Sequence, residues 1–139
     1  MFFIQKAERN DLPEILALQQ LAYRKEAERY NDFSIPPLIQ TLDEIFADYE
    51  HAVFLKGITE GILIGSVKGE KKGNTCCIGR LMVHPDYQRK GYGRALMQKI
   101  EEMFLSDWEI TRFELFTGEL SHDNIQFYTG LGYRIFKTL

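Results

Sequence analysis

The stretch from Ile78 to Phe104 reads IGRLMVHPDYQRKGYGRALMQKIEEMF, and its three parts decide the fold. Ile78-Gly79-Arg80-Leu81-Met82-Val83 is apolar and strand-like, whereas Ala95 to Phe104 has the pattern of a helix. Between them lies Gln88-Arg89-Lys90-Gly91-Tyr92-Gly93-Arg94. A glycine-containing turn that feeds directly into a helix leaves several backbone N–H groups without an intrahelical partner. The helix dipole adds positive potential at the same place, so the junction is a preformed anion site. Gly91 and Gly93 lack a Cβ and let a phosphate approach the backbone. Arg89, Lys90 and Arg94 charge the rim. The run reads as a pyrophosphate cradle.

The nucleotide P-loop pattern G-x-x-x-x-G-K-[ST] has no match in the chain. The dinucleotide fingerprint G-x-G-x-x-G fails because its third glycine position is Leu96. What remains is Q-x-x-G-x-G at a strand-loop-helix junction. A second motif follows at Asn124-Ile125-Gln126-Phe127-Tyr128-Thr129-Gly130-Leu131-Gly132-Tyr133. Together, in this order, the two motifs resemble the GNAT superfamily of acetyl-CoA-dependent N-acetyltransferases. The resemblance is specific from Ile78 onward and general before it. It implies an α/β fold with a mixed, mostly antiparallel central sheet flanked by about four helices, in a single domain over residues 1–139.

Length and composition fit such an enzyme. A chain of 139 residues buries about two-thirds of its unfolded surface. Its apolar content of 45% and charged fraction of 27% are ordinary for a globular protein. The net charge of −3 offers no global basic field for nucleic acid, so none is expected as a partner. No segment reaches the ~18 consecutive apolar residues of a membrane span. Charge sets in too early after Met1-Phe2-Phe3-Ile4 for a signal peptide, and the start reads as a strand. Cys76 and Cys77 are adjacent; they form neither a disulfide framework nor a metal site, and a reduced, cytoplasmic setting follows.

Elsewhere, Asp11-Leu12-Pro13-Glu14 reads as a capping box opening a first helix that runs to about Tyr30. Asn31 to Pro37 breaks it, and Thr41-Leu42-Asp43-Glu44 caps a second, short helix. Ala52 to Thr59 and Ile62 to Lys68 read as a hairpin around Glu60-Gly61. Lys71 to Asn74 turns into a strand from Thr75 to Val83. After the cradle helix come a strand from Arg112 to Phe116, a helix capped by Ser121, a glycine stop at Gly130 or Gly132, and a closing strand from Tyr133 to Thr138.

The resemblance also assigns roles. The main-chain groups of Leu81 and Val83, with Met82 between them, would pair with the pantetheine arm of acetyl-CoA as an added strand. Gln88, Arg89, Lys90, Gly91, Tyr92, Gly93 and Arg94 would hold the pyrophosphate. Tyr128 would protonate the departing thiolate, since a phenol near pKa ~10 is protonated at neutral pH. Asn124 sits one turn before Tyr128 and contacts either the cofactor or the helix start; the family's usual asparagine position is Ser121 here. An amine with pKa ~10.4 is neutral in only about 4 molecules per 10⁴ at pH 7, so a proton acceptor is needed. The glutamate that family members often place before the cradle is absent, for Gly79 and Arg80 stand there. Glu26, Tyr30, Asp32, Glu114 and His122 remain as candidates. Of these, Glu26, Tyr30 and Asp32 mark the acceptor side.

The function implied is transfer of acetyl from acetyl-CoA to a primary amine by direct attack in a ternary complex, without a metal. The acceptor is a small molecule or peptide of open identity, and a homodimer is the default assembly. The alternative is a catalytically inactive acyl-CoA-binding sensor or partner module on the same fold.

Overall fold

The computed structural model describes residues 1–138. Five strands lie side by side in chain order: β1 (Phe2–Lys6), β2 (Val53–Thr59), β3 (Ile62–Lys72), β4 (Thr75–Val83) and β5 (Arg112–Leu115). β1 to β4 pair antiparallel, and β5 joins β4 in parallel. The helices are α1 (Leu12–Ala22), α2 (Arg24–Tyr30), α3 (Pro36–Ile39), α4 (Leu42–Tyr49), α5 (Tyr92–Leu105) and α6 (His122–Gly130).

Alternation along the strands feeds two cores, one on each face of the sheet. Leu55, Val67, Cys76 and Ile78 pack with Leu96, Met97 and Ile100 of α5. Phe54 and Met82 pack with Leu12, Ile15 and Leu18 of α1 and Ile45 of α4. Each fully buried leucine or isoleucine contributes about 1.5–3 kcal/mol of transfer free energy. Gly65 and Gly69 let α5 come close, since a Cβ on Gly69 would lie 2.7 Å from Phe104 and 3.0 Å from Ile100.

One defect in β4 shapes everything that follows. Lys68 of β3 faces Gly79, and Ser66 faces Met82, so Arg80 and Leu81 together oppose Val67 alone. This is a bulge, with Arg80 at φ 51°. The extra residue shifts the side-chain parity. Ile78 belongs to the α5 core, whereas Met82 belongs to the α1–α4 core. β5 pairs with Thr75 to Ile78 only, so β4 past the bulge has a bare edge. The His84 N–H donates to the Ile64 carbonyl of β3 at 2.7 Å. By alternation, the main-chain groups of Val83 and Leu81 therefore face the bare side.

The expected elements stand with several corrections. The first helix breaks at Tyr23 (φ −88°, ψ 0°), giving α1 and α2. Asp11 makes no cap on α1; its carboxylate accepts from the Glu8 N–H at 2.7 Å and pairs with Lys56 at 2.8 Å. The break from Asn31 to Pro37 runs into the single turn of α3. That turn and the split first helix account for the helices beyond the four expected. β3 runs on to Lys72, so its turn is confined to Gly73 and Asn74. The Thr41–Glu44 capping box forms as read, with the Glu44 N–H donating to Thr41 at 3.2 Å. Gly132, at φ 99°, makes the left-handed stop. Tyr133 to Thr138 forms no strand. Side chains hold that segment instead: the Tyr133 hydroxyl donates to Glu101 at 2.5 Å, and Arg112 lies over the Phe136 ring at 4.4 Å.

Candidate functional site

The bare edge of β4 leads straight into the turn before α5. Arg89 (φ 64°) and Gly91 (φ 83°) are both left-handed, and this bends the chain sharply into the helix. The first closing bond of α5 runs from the Ala95 N–H to the Gly91 carbonyl at 3.1 Å. The N–H groups of Tyr92, Gly93 and Arg94 precede it and have no acceptor within the helix. Gln88, Arg89, Lys90 and Arg94 stand exposed around them. The Gln88 side chain donates to the Val83 carbonyl at 3.4 Å. Tyr92 offers only its backbone, because its ring stacks on Phe2 at 4.1 Å. A Cβ on Gly93 would lie 3.6 Å from the Phe127 ring and 3.8 Å from the Val83 side chain, so Gly93 packs between β4 and α6.

Tyr128 sits half-buried on α6, edge-on to Phe127 and Tyr133. Burial, reinforced by neighbouring Tyr23 and Glu26, pushes its phenol well above the ordinary tyrosine range. Its hydroxyl has no hydrogen-bond partner among the described residues. Tyr23, which sequence reasoning missed, donates to the Leu81 carbonyl at 3.4 Å. Burial raises its pKa to about 12, partly offset by Arg80. Gln19, Tyr23, Glu26 and Tyr30 follow helical spacing, the one sequence signal that they share a face.

Glu26 is the carboxylate of this cluster. It accepts from the Ser121 hydroxyl at 2.6 and 2.7 Å and from Asn124 at 3.5 Å, with Arg29 3.5 Å away. Ser121 is therefore a buried donor to Glu26, and its side chain makes no cap on α6. The Tyr30 hydroxyl accepts the Leu120 N–H at 2.7 Å and ties α2 to the segment before α6. The other acceptor-side candidates fall elsewhere. Asp32 is exposed and accepts from Ser34, whose bonds hold its carboxyl below the usual range. Glu114 pairs with Arg112 at 3.1 Å, and His122 is exposed at the start of α6. The structure thus gathers Leu81, Val83, the cradle, Tyr128, Asn124, Glu26 and Tyr30, and leaves Asp32 aside.

Among the described residues, no helix is long and apolar enough to cross a membrane. The sequence profile of the Acetyltransferase (GNAT) family matches residues 12–133. The UPF0157 protein YqkA of Bacillus subtilis (strain 168) is 35% identical over 137 residues, covering 99% of this chain and 38% of that protein. The chain thus spans well under half the length of this curated relative. In fold, the chain is similar to the PaiA N-acetyltransferase of Thermoplasma acidophilum in complex with coenzyme A. The TM-score is 0.88 at 16% identity, over 100% of this chain and 93% of that one. It is also similar to the ribosomal-protein-S18-alanine N-acetyltransferase of Escherichia coli. There the TM-score is 0.76 at 22% identity, over 95% of this chain and 77% of that one. With a profile match that takes in the bulged strand, the cradle and the Tyr128 helix alike, the chain belongs to the GNAT family of acetyltransferases.

Proposed function

We propose that the chain moves the acetyl group of acetyl-CoA onto a primary amine by direct attack within a ternary complex. The observation that carries this is the bare edge of β4 at Leu81 and Val83, running into the open N-terminus of α5. The residues present fit coenzyme A. The N–H groups of Tyr92, Gly93 and Arg94 would hold the pyrophosphate, with Arg89, Lys90 and Arg94 supplying charge. The main chain of Leu81 and Val83 would pair with the pantetheine amides. Coenzyme A supplies the activated acetyl group and a thiolate leaving group. The PaiA relative's complex with coenzyme A supports this choice of co-substrate.

Tyr128 remains protonated at any working pH, because its pKa is raised. A thiol ionises near ~8.5, so full proton transfer from this phenol to a thiolate is uphill. Its contribution is a hydrogen bond to the sulfur as charge develops, in a site where burial strengthens that bond. On the acceptor side, Glu26 is the carboxylate nearest this chemistry, and it takes a proton from the amine directly or through water. Asn124 and Ser121 fix its orientation. Cys76 does not compete as a nucleophile: it is buried, and burial with Cys77 beside it raises its pKa to about 12. The acceptor is a small-molecule or peptide amine. A cytoplasmic setting suits the two free cysteines.

A second reading, an acyl-CoA-binding module without turnover, is favoured by one observation: β4 carries Gly79 and Arg80 where a carboxylate base is usual. Thiol release from acetyl-CoA, across small amines and lysine peptides, separates the two. A saturable signal with one amine class, weakened in Tyr128→Phe, supports the enzyme. Tight acetyl-CoA binding with silence across the panel supports the module.

A further inference from the structure

Arg80 is the one cation of β4. The bulge holds it at φ 51° and returns its side chain to the face that carries Gly79 and Met82. There it lines a cavity of about 160 Å³ with Pro36, Ile39, Gln40 and Glu44. That is roughly five times the ≈30 Å³ share of a water molecule, room for a small ligand group. Arg80 Nε is buried and has no hydrogen-bond partner, and no carboxylate lies within ion-pair distance of the guanidinium among the described residues. The charges packed around this cavity have partners of their own. Glu44 accepts from the Thr41 N–H at 2.8 Å, and Asp48 is bound by Gln40 at 2.8 Å and Lys68 at 3.4 Å. A half-buried guanidinium with an orphaned donor is costly unless something brings it an anion.

We propose that the acceptor is an amine that carries its own carboxylate, an amino-acid-like substrate, and that Arg80 is the residue that binds the carboxylate. This rests on the acyl-transfer reading above. Arg80 precedes Leu81, whose carbonyl accepts from Tyr23, so the cavity adjoins the residue that borders the bare β4 edge. The guanidinium fork matches a carboxylate bidentately. Glu44 on the cavity wall disfavours a dianionic phosphate. A purely cationic acceptor, such as a polyamine or an aminoglycoside, would meet Arg80 as a like charge. The substrate class is therefore narrower than the fold implies.

The test pairs α- and ω-amino acids with their carboxamides, which keep the amine and lose the anion. Binding to the protein with coenzyme A present is read by calorimetry, and acetylation by thiol release. Acids should outbind amides and be used with about 10- to 100-fold higher kcat/KM, the worth of a charge-assisted bond. Arg80→Gln should erase that preference, and Arg80→Lys should keep part of it, with coenzyme A affinity unchanged in both. Equal use of acids and amides by the unaltered protein overturns the proposal without any variant. So does an unchanged acid preference in Arg80→Gln, or no binding by any acid while coenzyme A still binds. Acid-selective binding without thiol release supports the Arg80 site and overturns the transferase reading instead.

Discussion

Gly93→Ala should move stability and ligand affinity in opposite directions. Gly93 is the second residue of α5, and alanine in place of a helical glycine is worth about 0.5–1 kcal/mol. For a chain of this size that raises Tm by about 2–5 °C. The added methyl meets Phe127 at 3.6 Å and Val83 at 3.8 Å, both ordinary contacts, so the folded chain accepts it. The methyl takes up the space between the Phe127 ring and the Val83 side chain, next to the residue whose main chain would pair with coenzyme A. A methylene chain needs about 3.5–4.0 Å to carbon on either side, so a pantetheine arm must be pushed aside. Overpacking of this kind costs about 1–3 kcal/mol, or roughly 5- to 150-fold in Kd. Thermal unfolding with and without acetyl-CoA reads both effects. At a ligand concentration 1,000 times the original Kd, binding stabilises the unaltered protein by about 4.1 kcal/mol, and a variant binding tenfold more weakly by about 2.7 kcal/mol. A variant that melts higher alone yet gains as much from acetyl-CoA would refute the placement of the ligand against Gly93 and Val83.

Three further outcomes are expected. Tyr128→Phe should lower kcat by about 10²-fold with acetyl-CoA affinity unchanged, and an unaltered kcat in the folded variant rules the hydroxyl out. Ser121→Ala removes the donor at 2.6 and 2.7 Å from Glu26; it should cost about 1.5–3 kcal/mol in urea unfolding, and no shift of the midpoint would show that Glu26 finds other donors. Burial raises the Asp11 carboxyl, but bonds from Lys56 and the Glu8 N–H more than reverse this and leave it below the usual range. A depressed carboxyl stabilises fully above its unfolded pKa of ~3.9 and loses that contribution as pH falls through the folded value. Acid unfolding of Asp11→Asn should accordingly show a flatter limb below about pH 4, and an unchanged limb would assign the acid sensitivity elsewhere.

The cradle was legible in the sequence because everything it needs is local. Within the run Gln88 to Arg94, left-handed glycine, rim charge and helix start are all encoded side by side. The hairpin of β2 and β3 was legible for a similar reason, since its two strands follow each other along the chain. The bulge was not, because a left-handed arginine leaves no mark in composition. Tyr23 stayed hidden because it breaks the first helix without glycine or proline, and only its neighbours across the fold give it work. Ser121 reads as a cap by local rules, yet a carboxylate from α2 outcompetes the helix for its hydroxyl. Asp11 reads as a cap too, and Lys56 of β2 claims it. The closing strand failed differently. Tyr133 to Thr138 has strand-like residues, but bonds through Tyr133 and Phe136 fix it without a ladder. Local signals lose wherever a partner distant in sequence offers a stronger bond.

The Glu26–Ser121 bond joins side chains 95 residues apart, and Tyr30–Leu120 spans 90. Such contacts carry a loop-closure cost that contacts within Val83 to Arg94 do not. They also impose an order in time. Synthesis at 5–20 residues per second delays Ser121 behind Glu26 by roughly 5–20 s. Only over its last 16 residues, from Leu105 to Ser121, are the strand and helix of the phosphate cradle already made while Ser121 and Tyr128 are still to come. The chain acquires its grip on a ligand before it acquires its means of reaction.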